Sequence, residues 1–296
     1  MIDPRVLEEM LPYMKNIFGN SSSSEHSYGW ESNDAVNLSR EKIATLINCS
    51  PTDVIFTSGA TEANNISILG CMESNGYSGN IITPKTEHKS VIDIIKYLTT
   101  KGVKAQYLNV NKSGIIDIQE LSDSIDKNTK LVSVMMANNE IGVIQPIEKI
   151  GKVCRQKGIV FHVDAAQALG KIDIDVNRLN IDLLSISGHK IYGPNGVGAL
   201  YVRRRRPRVR LQAIIDGGGH ERGMRSGTLN VPGIVGFGKA CELCEQRMNE
   251  DSAHCLALRQ RMESGLLERL DSVEVNGSKD LRMPQITNIS FAFVEG

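Results

Sequence analysis

Residues 159–164 read Ile159-Val160-Phe161-His162-Val163-Asp164, a buried-strand pattern that ends on a carboxylate. Similar apolar runs recur along the chain, at residues 54–57, 80–83, 103–108, 131–136, 182–186 and 197–202. Helix-length segments separate the earlier runs, at residues 60–75, 89–101, 117–125 and 147–157. Strand–helix alternation of this kind predicts an α/β fold, with a mostly parallel central sheet and helices on both faces.

The C-terminal part of the chain has a different pattern. Residues 231–271 are mainly helical and amphipathic, and residues 286–293 predict one further strand. We therefore predict a large domain over residues 1–249 and the beginning of a smaller C-terminal α/β domain over residues 250–296. Because the chain ends directly after that strand, we expect the second domain to be incomplete and the sequence to be a fragment.

The composition excludes several classes of protein. The 296 residues include 34 Lys and Arg against 34 Asp and Glu, so no excess of positive charge supports a strongly basic nucleic-acid-binding protein. Apolar residues make up 41% and charged residues 23%, which excludes a disordered tail or a fibre. No apolar run reaches the roughly 18–20 residues that a membrane span needs. Six dispersed cysteines are typical of a reducing compartment, so we expect an intracellular enzyme.

Lys190 follows a buried strand, in the segment Ser185-Ile186-Ser187-Gly188-His189-Lys190. Open α/β sheets bind ligands at the carboxyl ends of their strands, and a lysine amine there can form a Schiff base with an aldehyde. Asp164 ends the preceding strand, and a buried carboxylate needs a cationic partner. The protonated pyridine nitrogen of pyridoxal phosphate is such a partner.

Two further segments add to this candidate site. Thr57-Ser58-Gly59-Ala60-Thr61-Glu62 joins a strand to a helix, where backbone N–H groups and the Thr61 hydroxyl can bind a phosphate. Taken alone, the same segment is more often an ordinary helix N-cap. His88 follows the strand at residues 80–83, and its imidazole can stack on a cofactor ring or move protons.

Six segments together resemble the cysteine desulfurases of the IscS/NifS type, which are fold-type I, class-V-aminotransferase-like enzymes. They are Ser-Gly-Ala-Thr-Glu (58–62), Thr-Glu-His-Lys (86–89), Asn-Asn-Glu-Ile-Gly (138–142), His-Val-Asp-Ala-Ala-Gln (162–167), Ser-Gly-His-Lys-Ile-Tyr-Gly-Pro (187–194) and Gly-Gly-Gly-His-Glu-Arg-Gly-Met-Arg-Ser-Gly-Thr (217–228). The resemblance implies pyridoxal 5'-phosphate as cofactor and conversion of L-cysteine to L-alanine. It also implies that the sulfur passes, as an enzyme persulfide, to iron–sulfur cluster assembly and to tRNA thiolation.

The resemblance assigns the reacting groups to particular residues. Lys190 becomes the Schiff-base lysine, and Asp164 the partner of the pyridine nitrogen. His88 stacks on the ring and assists proton transfer. Asn139 and Gln167 contact the substrate side and the phenolic oxygen of the ring. In this view residues 1–249 form the pyridoxal-phosphate-binding domain.

The resemblance also assigns the phosphate site. Ala60, Thr61, Ser187 and His189 hold the phosphate group. Thr228 reaches the phosphate of the other subunit, which implies a homodimer.

The sequence departs from the family pattern at several places. The family's first strand would precede Ile2, and Ser21 replaces the usual proline. The loop with the persulfide cysteine, and the arginine that binds the substrate carboxylate, would follow Gly296. None of the six cysteines lies in a Ser-Ser-Gly-Ser-Ala-Cys context. We therefore expect that the persulfide cysteine is not within this chain, and that the 296 residues alone are inactive in sulfur transfer.

Other interpretations stay open at this point. One is a selenocysteine lyase or another fold-type I enzyme such as an aminotransferase, and another is a catalytically silent protein of the same fold that binds partners. Residues 203–210 contain six arginines, which predict either a solvated face or a docking surface for an acidic partner such as an iron–sulfur scaffold protein. The expected location is the cytoplasm, or the mitochondrial matrix in a eukaryote.

Cys241 and Cys244 have a spacing that occurs in metal sites, with His254 and Cys255 downstream. On a continuous helix His254 would lie about 15 Å from Cys244, too far to share one ion. We therefore predict no metal site.

Overall fold

The computed structural model describes residues 1–294, and its main feature is a seven-stranded sheet with the order β1-β7-β6-β5-β4-β2-β3. The strands are β1 Val54–Thr57, β2 Asn80–Pro84, β3 Lys104–Leu108, β4 Thr129–Met135, β5 Val160–Asp164, β6 Leu183–Ser187 and β7 Gly198–Val202. Strands β6, β5, β4, β2 and β3 are parallel, whereas β7 runs antiparallel to its neighbours β6 and β1. The predicted α/β fold with a mostly parallel sheet is confirmed.

Seven helices surround the sheet in the described residues. They are α1 Pro4–Lys15, α2 Ser27–Leu46, α3 Ala60–Ser74, α4 Lys89–Thr100, α5 Ile118–Ser124, α6 Ile147–Lys157 and α7 Val231–Leu267. Helices α3 to α6 agree with the prediction to within one residue at each end. Between residues 1 and 294, no helix is both long enough and apolar enough to cross a membrane.

Helices α1 and α2 were not predicted from the sequence. Both pack against α7. The buried positions of α2 include Gly29, Ser32 and Ser39, so its inner face is partly small and polar. The apolar spacing that indicates a helix is therefore weak in this segment.

The two faces of the sheet differ in polarity along β5. Phe161 and Val163 lie in the same apolar core as Phe237 of α7. His162 and Asp164 alternate with them and point to the opposite face, where α3 packs on β4 to β7. The polar side chains of β5 therefore lie on the face of the sheet that α3 covers.

Residues 268–294 contain a second, two-stranded sheet, and Met283 between its strands is buried in the main core. β8 (Val273–Val275) pairs antiparallel with β9 (Ile289–Phe291). The strand predicted over residues 286–293 is therefore shorter than expected, because its partner β8 ends after three residues at a turn with Gly277 at φ 83°. Helix α7 continues across the boundary predicted between residues 249 and 250, and that boundary stays a prediction. Residues 295 and 296 of the predicted second domain lie outside the described residues.

Candidate active site

A cleft of about 500 Å³ lies at the carboxyl ends of β5 and β6, beside the N-terminus of α3. Nine of the ten predicted site residues line it: Ala60, Thr61, His88, Asn139, Asp164, Gln167, Ser187, His189 and Lys190. Thr228 does not line the cleft and is exposed in the segment before α7. The structure thus brings nine of the predicted residues together, while the role given to each stays a prediction.

Asp164 is a buried carboxylate, 6% exposed, that receives hydrogen bonds from neutral groups. The Ala166 N–H donates to Oδ1 at 3.0 Å, and Nδ2 of Asn64 donates to Oδ2 at 2.8 Å. Burial raises the pKa of Asp164, although these bonds and the positive charges of His88 and Lys190 act to lower it. Within residues 1–294 it forms no ion pair, so a cationic ligand group would complete its environment.

The N-terminus of α3 forms one wall of the cleft. Gly59 precedes the helix at φ 152°, a conformation that residues with a Cβ rarely adopt. A Cβ on Gly198 of β7 would lie 2.6 Å from the Gly59 Cα, so the absence of a side chain allows this close approach. The N–H groups of Ala60 and Thr61 belong to the first helical turn, where no intrahelical acceptor exists for them. This wall is therefore suited to an anion.

Glu62 stabilises the same wall, and the sequence analysis gave it no role. Its carboxylate accepts the Ser58 N–H at 2.8 Å and pairs with Arg225 at 2.7 Å. Although burial acts to raise the pKa of Glu62, its hydrogen bonds with Arg225 and Ser58 lower it overall. The pair ties the turn before α3 to the glycine-rich segment that carries Thr228. A glutamate in the first helical turn was the available signal.

Lys190 lies just beyond β6, in the turn Gly188–Ile191, and is exposed to the cleft. The preceding His189 places Nδ1 2.9 Å from the Ser187 Oγ. Burial and the positive charge of Lys190 lower the pKa of His189. An amine and two hydrogen-bonding side chains therefore meet at the end of one strand.

His88 is the N-cap residue of α4, where its Nδ1 accepts the Ser90 N–H at 3.1 Å. Ser90 also lines the cleft, and its Oγ receives a hydrogen bond from the buried Asn64. Neither Ser90 nor Asn64 was predicted from the sequence as a site residue. Neither has a recognisable pattern, since a serine at a helix start is common and Asn64 lies within α3.

Two more buried titratable groups lie near Asp164. His162 is hydrogen-bonded to the Ser133 and Ser185 hydroxyls at 2.8 and 3.0 Å, and burial lowers its pKa to about 3. Glu87 accepts the Met135 N–H. Burial raises the pKa of Glu87 well above its usual range, and the negative charge of Asp164 adds to this effect. Burial therefore favours the neutral form of both groups in the folded protein.

The cysteines lie away from the cleft, none of whose described lining residues is a cysteine. Burial raises the pKa of the Cys49, Cys71 and Cys154 thiols to about 12 and that of Cys244 to about 11. Such thiols are poor nucleophiles near neutral pH. In the described part of the chain, no three His, Cys, Asp or Glu side chains are grouped as a metal site requires.

Comparison with known proteins decides the family. The sequence model described as aminotransferase class-V matches residues 1–296. The chain belongs to this family. It is 54% identical to "Cysteine desulfurase IscS" of Ehrlichia chaffeensis, covering 99% of the chain and 72% of that protein. It is 51% identical to "Cysteine desulfurase" of Mus musculus, covering all of the chain but 64% of that protein.

Solved structures agree with this assignment. A "NIFS-LIKE PROTEIN" superposes with a TM-score of 0.93 at 39% identity, over 98% of this chain and 79% of that one. "SspA in complex with cysteine" superposes with a TM-score of 0.87 at 38% identity, over 98% and 80%. The resemblance to cysteine desulfurases, their fold and their dependence on pyridoxal phosphate are thereby confirmed for the family of this chain.

The residues of the cleft fit pyridoxal phosphate. A protonated ring nitrogen needs an anionic partner. Asp164 can be that partner, because its buried carboxylate forms no ion pair within residues 1–294. The first turn of α3 suits a phosphate, and the Lys190 amine suits an aldehyde. The cleft therefore has a complementary group for each reactive part of the cofactor.

Proposed function

We propose that this chain carries the cofactor and substrate site of a cysteine desulfurase, which binds pyridoxal 5'-phosphate and acts on L-cysteine. The main support is that an amine, a helix N-terminus and a buried carboxylate that has no cationic partner within residues 1–294 converge in one cleft. The neighbour described as "SspA in complex with cysteine" supports the choice of substrate. In this proposal L-alanine is the product, and the sulfur serves iron–sulfur cluster assembly and tRNA thiolation.

Lys190 and Asp164 would hold the two ends of the cofactor ring. The Lys190 amine attaches the aldehyde covalently, and the Asp164 carboxylate keeps the ring nitrogen protonated. His88 stacks on the ring. Asn139 and Gln167 contact the substrate side and the phenolic oxygen of the ring, in agreement with their place on the cleft wall.

The phosphate would bind at the first turn of α3. The Ala60 and Thr61 N–H groups, the Thr61 hydroxyl and the pair Ser187–His189 supply its hydrogen bonds. Thr228, which does not line its own cleft, would complete the phosphate site of a second copy. We therefore propose a homodimer.

The chemistry follows from these positions. Bound pyridoxal phosphate supplies an electron sink that stabilises negative charge on the substrate carbon next to the amino group. The Lys190 amine, which lines the cleft, would be placed to remove the proton from that carbon. His88, on the cleft wall, would move the proton of the substrate thiol, and the sulfur would pass to an acceptor thiolate to form a persulfide, with the electron pair of the C–S bond remaining on the carbon that becomes the methyl group of L-alanine. We assign no sulfur acceptor among the six cysteines, because no cysteine lines the described cleft.

The arginine run would dock an acidic partner, such as an iron–sulfur scaffold protein. Its members do not behave alike: Arg203 pairs with the buried Asp182 at 3.0 Å and supports the fold. The others are exposed, at positions 204, 205, 206, 208 and 210. Exposed arginines suit recognition of carboxylates. We propose the five exposed arginines as the docking surface.

We propose a location in the cytoplasm or, in a eukaryote, in the mitochondrial matrix. Relatives named "Cysteine desulfurase, mitochondrial" of Arthroderma benhamiae and "Cysteine desulfurase, mitosomal" of Trachipleistophora hominis support the organellar alternative.

The proposed substrate is tested by absorbance spectroscopy of the chain loaded with pyridoxal phosphate. Addition of L-cysteine should change the cofactor spectrum, whereas L-glutamate should not. Exchange of the Cα proton of L-cysteine for solvent deuterium should be lost in Lys190→Ala, where a free cofactor aldehyde can still react with L-cysteine, and should persist in Lys171→Ala, because Lys171 does not line the cleft. A response to L-glutamate with release of 2-oxoglutarate would indicate an aminotransferase instead.

A further inference from the structure

A continuous chain of hydrogen bonds joins two residues of the cleft, Asp164 and His88. Nδ2 of Asn64 donates to Oδ2 of Asp164 at 2.8 Å and to the Ser90 Oγ at 2.9 Å. The Ser90 Oγ lies 2.8 Å from Nδ1 of His88. The chain runs from β5 through α3 to the first turn of α4, so it connects three elements that border the cleft.

Asp164 determines the orientation of the Asn64 amide, and that orientation leaves Ser90 able to donate to His88. A carboxylate can only accept, so the part of Asn64 that faces it is the amide NH₂ group. The second hydrogen of that NH₂ group then occupies a lone pair of the Ser90 Oγ. The hydroxyl hydrogen of Ser90 is therefore free to be donated to Nδ1 of His88.

The backbone supports the same direction independently. The Ser90 N–H donates to Nδ1 of His88 at 3.1 Å, and a backbone amide cannot reverse its role. A neutral imidazole has one acceptor nitrogen and one that carries the proton. With Nδ1 as the acceptor, the proton of neutral His88 lies on Nε2.

The hydrogen bonds that Asn64 donates leave its own Oδ1 atom without a partner in the described residues. The side chain of Asn64 is fully buried. Leaving a buried acceptor unpaired is unfavourable, so the two donated bonds, and not general packing, select this orientation of the amide.

We propose that Ser90 and Asn64 are positioning residues that keep the proton of His88 on Nε2 and hold its ring at the cleft wall. The consequence for catalysis rests on the proposed function, in which His88 acts on the cofactor and the leaving sulfur. The tautomer itself is a property of the chain without cofactor, so it can be measured separately.

The test is two-bond nitrogen–hydrogen correlation NMR on the ¹⁵N-histidine-labelled chain, with and without pyridoxal phosphate, at a pH where His88 is neutral. Loss of one signal set in His88→Gln assigns the resonances. The wild-type chain should show His88 protonated on Nε2. Ser90→Ala should lower the ratio of the Nε2–H to the Nδ1–H form roughly fivefold, the effect of one net hydrogen bond, and Ser90→Thr should restore it.

Ser67→Ala is the matched control. Like Asn64, Ser67 is buried on α3. Its Oγ has no hydrogen-bond partner among the described residues, so its removal should leave the His88 tautomer unchanged. Asn64→Leu should lower the tautomer ratio alone but have no further effect in the Ser90→Ala background, because its influence passes through the Ser90 hydroxyl.

Two results would overturn the proposal: a wild-type His88 protonated on Nδ1, or the same tautomer ratio in the wild type, Ser90→Ala and Ser67→Ala. If the tautomer responds as expected but pyridoxal phosphate does not bind, only the proposed function fails. If the cofactor binds and the tautomer does not respond, only the positioning role fails.

Discussion

Asp164 and Asp182 are two buried carboxylates at opposite ends of the same sheet. Asp182 directly precedes β6, pairs with Arg155 and Arg203 at 3.0 Å each and accepts the Phe161 N–H at 2.9 Å. Asp164 ends β5 and receives only the neutral donors described above, within residues 1–294. Burial raises the pKa of both carboxylates, although their hydrogen bonds and nearby positive charges oppose the shift.

The difference between the two shows which end of the sheet is built for a ligand. At the amino ends of the strands, the chain itself supplies the cations that a buried carboxylate needs. At the carboxyl ends it supplies a cleft instead. Burial is common to both sites, so the missing cation, and not the burial, distinguishes the candidate active site.

The largest expected effect is that of Asp164→Asn on the reaction. An amide cannot keep the ring nitrogen protonated, so exchange of the substrate Cα proton for deuterium should slow roughly 10²–10³-fold. Cofactor affinity should fall much less, because the phosphate and Lys190 contacts are retained. Mass spectrometry of L-alanine incubated in deuterated buffer measures the exchange. Asp182→Asn is the control, and equal losses of exchange and affinity in Asp164→Asn would indicate a structural carboxylate.

For the free energy of unfolding, Asp182→Asn should have a larger effect than Asp164→Asn. Asp182→Asn leaves Arg155 and Arg203 without their buried counter-charge, so the free energy of unfolding should fall by about 3 kcal/mol. Asp164→Asn breaks no ion pair within residues 1–294 and can still accept the Ala166 N–H, but its new NH₂ group faces the Asn64 NH₂ group, so the free energy of unfolding of the cofactor-free chain should fall by about 1–2 kcal/mol, less than in Asp182→Asn. Urea unfolding without cofactor provides both values. A larger loss in Asp164→Asn would contradict the contrast drawn between the two ends.

Glu87 gives a smaller, pH-dependent effect. Its pKa is raised by burial in the folded state, so the folded chain binds more protons than the unfolded chain once the pH exceeds about 4.3. The stability of the wild type relative to Glu87→Gln should therefore fall as the pH rises, while the glutamine still accepts the Met135 N–H.

We expect the two proteins to be similarly stable near pH 4 and the Glu87→Gln variant to become the more stable of the two as the pH rises. Urea unfolding at a series of pH values measures the difference. A difference that does not vary with pH would show that Glu87 is not held in its protonated form.

The sequence predicted the sheet well because each strand has its own local signal. Six of the seven strands are short, largely apolar and buried runs, and residues that can bind a ligand follow several of them at the carboxyl edge of the sheet. This is why Lys190, Asp164, Thr61 and His88 could be placed together before the structure was known.

The prediction of a buried strand at residues 103–108 is wrong, because β3 lies at the edge of the sheet and exposes Lys104 and Gln106. Helix α2 was missed because Gly29, Ser32 and Ser39 occupy part of its buried face.

Side-chain networks could not be predicted in the same way. Asn64 and Ser90 lie 26 positions apart, and their hydrogen bond exists only because α3 and α4 pack side by side. The pairing of Glu62 with Arg225 likewise depends on the path of the glycine-rich segment. Such contacts leave no periodic pattern in the sequence.

Two lysines provide the most direct test of the central claim, that the cleft at the carboxyl ends of the strands holds the cofactor. Burial, and then the positive charge of Lys190, lower the pKa of Lys171, so Lys171 is a chemically reasonable rival for an aldehyde. Lys171 lines a neighbouring cavity of about 270 Å³, whereas Lys190 lines the cleft with Asp164.

The measurement is borohydride reduction of the chain loaded with pyridoxal phosphate, followed by peptide mapping. The account predicts one pyridoxyl group per chain, on the Lys190 peptide, retained in Lys171→Ala and absent from Lys190→Ala. Labelling of Lys171, or labelling that survives Lys190→Ala unchanged, would contradict it.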